Sequence, residues 1–177
     1  MQSLESLRES LPDAARDLKI GLQTVLGAES LTPPQRWGVA LAAAYAARNP
    51  ALRDAVLADA RAAGVDEAVL DDARAAALLM GMSNVFYRSK HMLGEAYERK
   101  PARLRMQRIA QPKGEKVDFE LMSLAVSAIN GCDVCLNAHE KTVREGGLPD
   151  DAVIDAVRIA AVVHGVAVAL ETAADPA

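Results

Sequence analysis

A twelve-residue stretch of this chain has a similar counterpart further along it. Leu70-Asp71-Asp72-Ala73-Arg74-Ala75-Ala76-Ala77-Leu78-Leu79-Met80-Gly81 aligns with Ile154-Asp155-Ala156-Val157-Arg158-Ile159-Ala160-Ala161-Val162-Val163-His164-Gly165 at a shift of 84 residues. Upstream, a shift of 81 sets Asn49-Pro50 on Asn130-Gly131. Each half reads as a helix, a sharp break at Asn, a short helix, a glycine stop and a long helix. A helical unit that cannot bury its apolar face alone must stack on its copy. The pattern therefore predicts one all-α domain over residues 1–177, built from repeats at about 33–88 and 118–172 and joined by an irregular segment at 99–117. The composition agrees. Alanine, leucine, arginine and glutamate favour helix, and six aromatic residues are too few for a sheet protein.

Local signals place the helices. Residues 4–11 are a short amphipathic opening ended at Pro12, and 13–26 carry apolar residues at helical spacing up to Gly27. Thr32, Pro33 and Gln35 form a capping box with a first-turn proline, and that helix runs to about Arg48. Asn49-Pro50 breaks it. The next helix spans 51–63 and stops at Gly64. Asp66 caps a long one reaching Phe86 or beyond, with Gly81 inside it as a mark of close helix–helix approach. Residues 99–114 are punctuated by Pro101, Pro112 and Gly114, and Arg103, Arg105 and Arg108 make a solvated or inter-subunit face. Asp118 caps a helix from Phe119 to about Asn130, and Gly131 ends it. A further helix closes at Gly146-Gly147, Pro149 opens the last, and the tail 173–177 frays.

The helix after Gly131 carries the chemistry. Cys132 and Cys135 are the chain's two cysteines, and His139 follows one turn after Cys135. At i, i+3 and i+7 the three side chains share one stripe, and two cysteines so spaced are close enough for a disulfide. The reading is a redox-active dithiol with its own acid/base partner. The positive end of the helix favours a thiolate at Cys132, whereas the imidazole favours Cys135. A zinc site would need four ligands; Cys132, Cys135 and His139 make three, and the chain has no second Cys pair. Opposite Cys132, Cys135 and His139, the first repeat has Ala51, Asp54 and Ala58, and Val39 lies opposite Glu120, so the dithiol is an addition to the helical unit. His164, at the position of Met80, reads as a core residue, and His91 has no evident partner.

Phe119-Glu120-Leu121, then Ala125-Val126-Ser127-Ala128-Ile129-Asn130-Gly131-Cys132, Cys135 and Ala138-His139-Glu140 resemble the alkylhydroperoxidase AhpD family. So do Arg48-Asn49-Pro50, Met80-Gly81-Met82 and Asn84-Val85-Phe86-Tyr87-Arg88. The resemblance covers nearly the whole chain. It implies an all-α, duplicated AhpD-like fold, similar to carboxymuconolactone decarboxylases, assembled as a homotrimer. It also implies a cytoplasmic antioxidant enzyme that reduces organic hydroperoxides and regenerates the peroxiredoxin AhpC. The electrons come from a dihydrolipoyl group on the E2 subunit of a 2-oxo acid dehydrogenase, with no tightly bound cofactor. Carried over by motif position, Cys135 is the attacking thiolate that passes through sulfenic acid. Cys132 is the resolving thiol and proton donor, and His139 with Glu120 forms the proton relay. Some relatives have a histidine where this chain has Val134, so a relay through that position cannot run here. Two other classes compete: a thiol–disulfide relay with no peroxidase activity of its own, and a structural metal-binding module.

The net charge of −4 argues against a nucleic-acid partner. The chain's opening residues show no basic stretch followed by an apolar one, so no signal peptide is expected. Its most apolar run, residues 159–170, contains His164 and is short for a membrane span of about 20 residues.

Overall fold

The computed structural model describes residues 3–173. The helices are Leu4–Ser10 (α1), Arg16–Val25 (α2), Pro33–Ala47 (α3), Pro50–Ala62 (α4), Glu67–Met92 (α5), Glu95–Glu98 (α6), Gln107–Ala110 (α7), Lys116–Ile129 (α8), Asp133–Glu145 (α9) and Asp150–Thr172 (α10). Among the described residues there is no β-strand, so the all-α expectation holds. Of the tail expected to fray, residues 174–177 lie outside the described residues.

The core is a bundle of α3, α5, α8 and α10, each packed on α3, α8 or both. Val39 to Ala44 of α3 and Leu121 to Ser127 of α8 are all buried. Such runs are apolar or small on every side, because a central helix meets a neighbour on every face. Alanine at Ala40, Ala42, Ala43 and Ala125 lets the axes approach. The tightest approach is at Gly38, where an added Cβ would collide with Met122 Cε and stand 3.2 Å from Val69 Cγ1. Gly38→Ala is therefore expected to destabilise the fold by about 1–3 kcal/mol, the usual cost of overpacking, read as a lowered denaturation midpoint. Gly81, by contrast, has nothing within 4 Å of its would-be Cβ. The close approach expected there belongs to Gly38, because Gly81 is exposed and faces away from the core.

Helices α3, α4 and α5 begin at Pro33, Pro50 and Glu67, and their counterparts α8, α9 and α10 begin 83 residues later in each case. Burial follows this register: Ala73, Ala76 and Met80 correspond to Ala156, Ile159 and Val163, and all six are buried. The twelve-residue match at 84 is one residue out of it. That corrects two readings. Met80 corresponds to Val163, and His164 sits one position on, exposed on α10 rather than in the core. The positions facing Cys132, Cys135, His139 and Glu120 are Asn49, Leu52, Val56 and Trp37, and Leu52 and Val56 are fully buried.

Several ends are set by local chemistry. Thr32 and Gln35 complete the capping box. Asn49 caps α4 through Leu52 N–H, and Asp66 caps α5 through Ala68 N–H. Residues 13–15 form a 3₁₀ turn rather than the start of α2. The helix expected from Phe119 starts three residues earlier, at Lys116, after Glu115. Asp118 is not its cap; its Oδ1 accepts from Gln35 Nε2 at 2.7 Å. Glu120 thus lies in the second turn of α8.

α10 is long and apolar enough to cross a membrane, longer than the run 159–170 suggests. Its buried face packs on α2, α3, α8 and α9, with Gly165 against Leu18 and Gly21 against Val162. That is the packing of a core helix.

The segment 99–117 is strapped down. Asp72, buried on α5, accepts from Lys113 N–H at 3.0 Å, Gly114 N–H at 2.7 Å and Arg108 Nη2 at 2.5 Å. Arg108 is therefore half-buried and paired with Asp71 and Asp72 rather than solvated, while Arg103 and Arg105 are exposed. The strap carries Met106 and Ile109 onto the site described next.

Candidate active site

α8 ends at Ile129, and the chain turns on Gly131 at φ 63°, a left-handed conformation that glycine adopts without a Cβ clash. The turn closes by Cys132 N–H to Ser127 O at 3.1 Å, and Arg88 donates to Asn130 O. Asn84, fully buried on α5, donates to Ser127 Oγ and accepts from Asn130 Nδ2, each at 2.9 Å. This cluster fixes where α9 starts. Cys132 becomes the N-cap of α9 and Cys135 lies in its first turn, at the positive end of the helix. Their Cα atoms are 5.3 Å apart and the sulfurs are joined in a disulfide.

His139 follows one turn along α9 and is buried. Its Nδ1 is 2.6 Å from Glu120 Oε2, and its Nε2 is 3.2 Å from Met80 Sδ. Lys116, one turn before Glu120, places Nζ 3.0 Å from Oε1. Burial pushes the Glu120 carboxyl up, but the hydrogen bonds and charges of His139 and Lys116 outweigh it and hold the carboxyl below its ordinary value. The site thus contains a carboxylate that stays ionised at neutral pH and orients an imidazole.

Beside this pair lies an apolar cavity of about 270 Å³. Cys135, His139 and Val134 of α9 line it, with Met80, Ser83 and Tyr87 of α5 and Met106 and Ile109 of the strap. Cys132 does not. Cys132, Cys135 and His139 are therefore brought together at the start of α9, and Glu120, which only the family resemblance had added to them, meets His139 from α8. His91 is elsewhere, exposed between Glu98 and Asp133 at 3.4 and 3.8 Å. Sequence reasoning did not single out Ser83 and Lys116, and it named Met80 and Asn84 only within the motifs of the resemblance, with no place at the site. Lys116 had a signal, an i, i+4 spacing to Glu120. Ser83-Asn84 had another, two polar residues on the buried side of a helix.

An all-α bundle that sets a bonded cysteine pair beside a carboxylate–imidazole pair and an apolar cavity defines a helical dithiol protein. Residues 95–177 match the carboxymuconolactone decarboxylase family. An alkyl hydroperoxide reductase AhpD of Anaeromyxobacter sp. (strain K) is 59% identical over 174 residues, covering 98% of this chain and 93% of the relative. Proteins of the same name from Rhodospirillum centenum and Solibacter usitatus are 51% and 49% identical; they cover 97% and 98% of this chain and 92% and 98% of their own lengths. The chain belongs to the AhpD family of alkyl hydroperoxide reductases.

Proposed function

We propose that this protein is an antioxidant peroxidase of the cytoplasm, reducing organic hydroperoxides through Cys132 and Cys135 and regenerating AhpC with electrons from lipoyl groups. The observation that carries the reading is the apolar cavity, which offers an alkyl chain a wall of side chains and presents Cys135 and His139, not Cys132, to what enters.

The cycle follows from that geometry. His139, held by Glu120, takes the Cys135 proton. The thiolate attacks the distal peroxide oxygen, the O–O bond breaks, and the alcohol leaves with a proton. The Cys135 sulfenic acid condenses with the Cys132 thiol, releasing water and forming the disulfide. A dihydrolipoyl dithiol on an E2 subunit reopens it by two exchanges and is itself oxidised. Val134 lines the cavity, so where some relatives have a histidine this site has an apolar wall, and the proton path rests on His139 and Glu120. A homotrimer fits the outer face of α5, where Leu78, Val85 and Met92 stand more than half exposed, and where Val85 lines, with Leu93 just beyond the helix, a groove of about 440 Å³.

The test is peroxide consumption by the wild type with dihydrolipoamide as sole reductant. Turnover of cumene hydroperoxide is the expected result. Reduction of AhpC without direct peroxide consumption would leave only a thiol–disulfide relay, and neither activity would refute the proposal.

A further inference from the structure

The strap supplies two residues, Met106 and Ile109, to the cavity that holds Cys135 and His139. Burial alone does not fix them. No residue from 91 to 118 is buried, and a stretch with so few buried contacts opens locally with ease. Its anchors are polar. Lys113 N–H and Gly114 N–H donate to Asp72, and Lys116 Nζ lies 3.4 Å from Ile109 O. Arg108 stands between Met106 and Ile109 in the chain, and its Nη2 reaches Asp71 Oδ2 at 2.7 Å and Asp72 Oδ1 at 2.5 Å.

The repeat separates these bonds by origin. Asp155 stands 83 residues after Asp72, Ser30 stands 83 before Lys113, and Ser30 Oγ donates to Asp155 Oδ2 at 2.6 Å. In both halves, then, a carboxylate on the long helix grips the third residue ahead of the other half's first helix, at Pro33 or Lys116. That grip is a device of the fold. Arg108 is not part of it, because the position 83 residues earlier is Val25, an apolar residue of α2. Arg108 does not line the cavity either. Its ion pairs fix only the turn that carries Met106 and Ile109.

We propose that Arg108 is a positioning residue: its pairing with Asp71 and Asp72 sets Met106 and Ile109 as a cavity wall, and that wall selects organic hydroperoxides over hydrogen peroxide. This rests on the reading of Cys135 as the sulfur that meets the peroxide. The selection is physical. An alkyl or aryl group that enters buries apolar surface against the two side chains, whereas hydrogen peroxide has no such surface to bury. The anchor suits the task. Hydrogen bonds between a guanidinium and carboxylates are stronger than those between neutral groups, and Asp72, a charge buried on α5, is satisfied only by donors from the strap.

The test follows the loss of titratable thiols when pre-reduced protein meets cumene hydroperoxide or hydrogen peroxide, with no reductant present. The wild type is expected to react faster with cumene hydroperoxide. Arg108→Gln keeps part of the stem and drops the charge. It should slow the cumene hydroperoxide reaction about tenfold, the low end of what a methylene-sized contact contributes in an apolar pocket, and leave the hydrogen peroxide rate unchanged. Ile109→Ala, at a partly exposed position, should do the same without touching the ion pairs. The double variant should lose no more than either single one, since both act on one wall. Gln107→Ala, exposed on the same turn, should change neither rate. A wild type without the preference, or an Ile109→Ala protein that keeps it in full, overturns the wall. Equal slowing of both peroxides by Arg108→Gln, no slowing at all, or losses that multiply in the double variant would overturn the positioning role. Failure of the underlying reading shows separately, as thiol loss from Cys135→Ser at the wild-type rate.

Discussion

Cys135→Ser is expected to end hydroperoxide turnover, a loss of about 10⁴-fold or more, the scale that follows removal of a covalent nucleophile. Cys132→Ser is expected to behave differently. It should consume one equivalent of hydroperoxide per chain and stop at the Cys135 sulfenic acid, seen as a mass gain of one oxygen or as a dimedone adduct. The asymmetry comes from placement. Both sulfurs sit at the positive end of α9, and Cys132, as its N-cap, stands closest to that end. Yet Cys132 is 1% exposed and absent from the cavity wall, whereas Cys135 and His139 line it together. A thiolate that no substrate can reach is not a nucleophile, whatever its pKa, so access decides against the helix-end argument. The measurement is peroxide consumption by each single mutant under single-turnover conditions. One equivalent consumed by Cys135→Ser and none by Cys132→Ser would exchange the two roles.

The parts of this site that the sequence revealed are those governed by short-range rules. The glycine turn at Gly131, the i, i+3 cysteines and the histidine one turn on are fixed by chain geometry alone, and the structure places them as read. The same holds for the Thr32–Gln35 capping box, the break at Asn49-Pro50 and the cap at Asp66. Glu120 could be named only through the family resemblance. Its meeting with His139 depends on α8 and α9 folding back on each other across Gly131, which spacing does not determine. Met80 and Asn84 come from another helix, 59 residues from His139 and 46 from Asn130. They reach the site because α5 packs on both α8 and α9. Their trace in the sequence was physical nonetheless. Ser83 and Asn84 are polar residues on the buried side of an apolar helix, where each must find a partner. Asp72 left the same trace one helix face earlier. Its buried carboxylate was the sign that the irregular segment 99–117 folds down onto α5. The repeat misled by one residue at the shift of 84 and by two at 81, because alanine-rich helices align at several registers; the twelve residues agree at five positions at 84 and at three at 83, and only burial and the helix starts favour 83.

Glu120→Gln is expected to lower kcat/KM for hydroperoxides by about 10²–10⁴-fold, the range for removing a group that supports proton transfer. The amide fills the same space and still offers Nδ1 of His139 an oxygen, so packing is nearly conserved and what is lost is the charge. The pH profile separates this from a structural effect. The wild-type carboxyl is held below its ordinary value of 4.5, so the acid limb that Glu120 causes lies below that pH and the variant lacks it, with a low plateau instead. Stability carries a second signature of the same charge. A carboxyl whose folded pKa lies under its unfolded value contributes stability that is complete above the unfolded value. That contribution is lost as pH falls through the folded one. The wild type should therefore exceed Glu120→Gln in denaturant midpoint at pH 7, and the gap should close as the pH falls beneath 4.5. A variant that matches the wild type in turnover at neutral pH would remove Glu120 from the relay. A variant that loses turnover with no change in the acid limb would make its role one of shape alone. Only the loss of both plateau and limb is what an ionised carboxylate behind His139 requires.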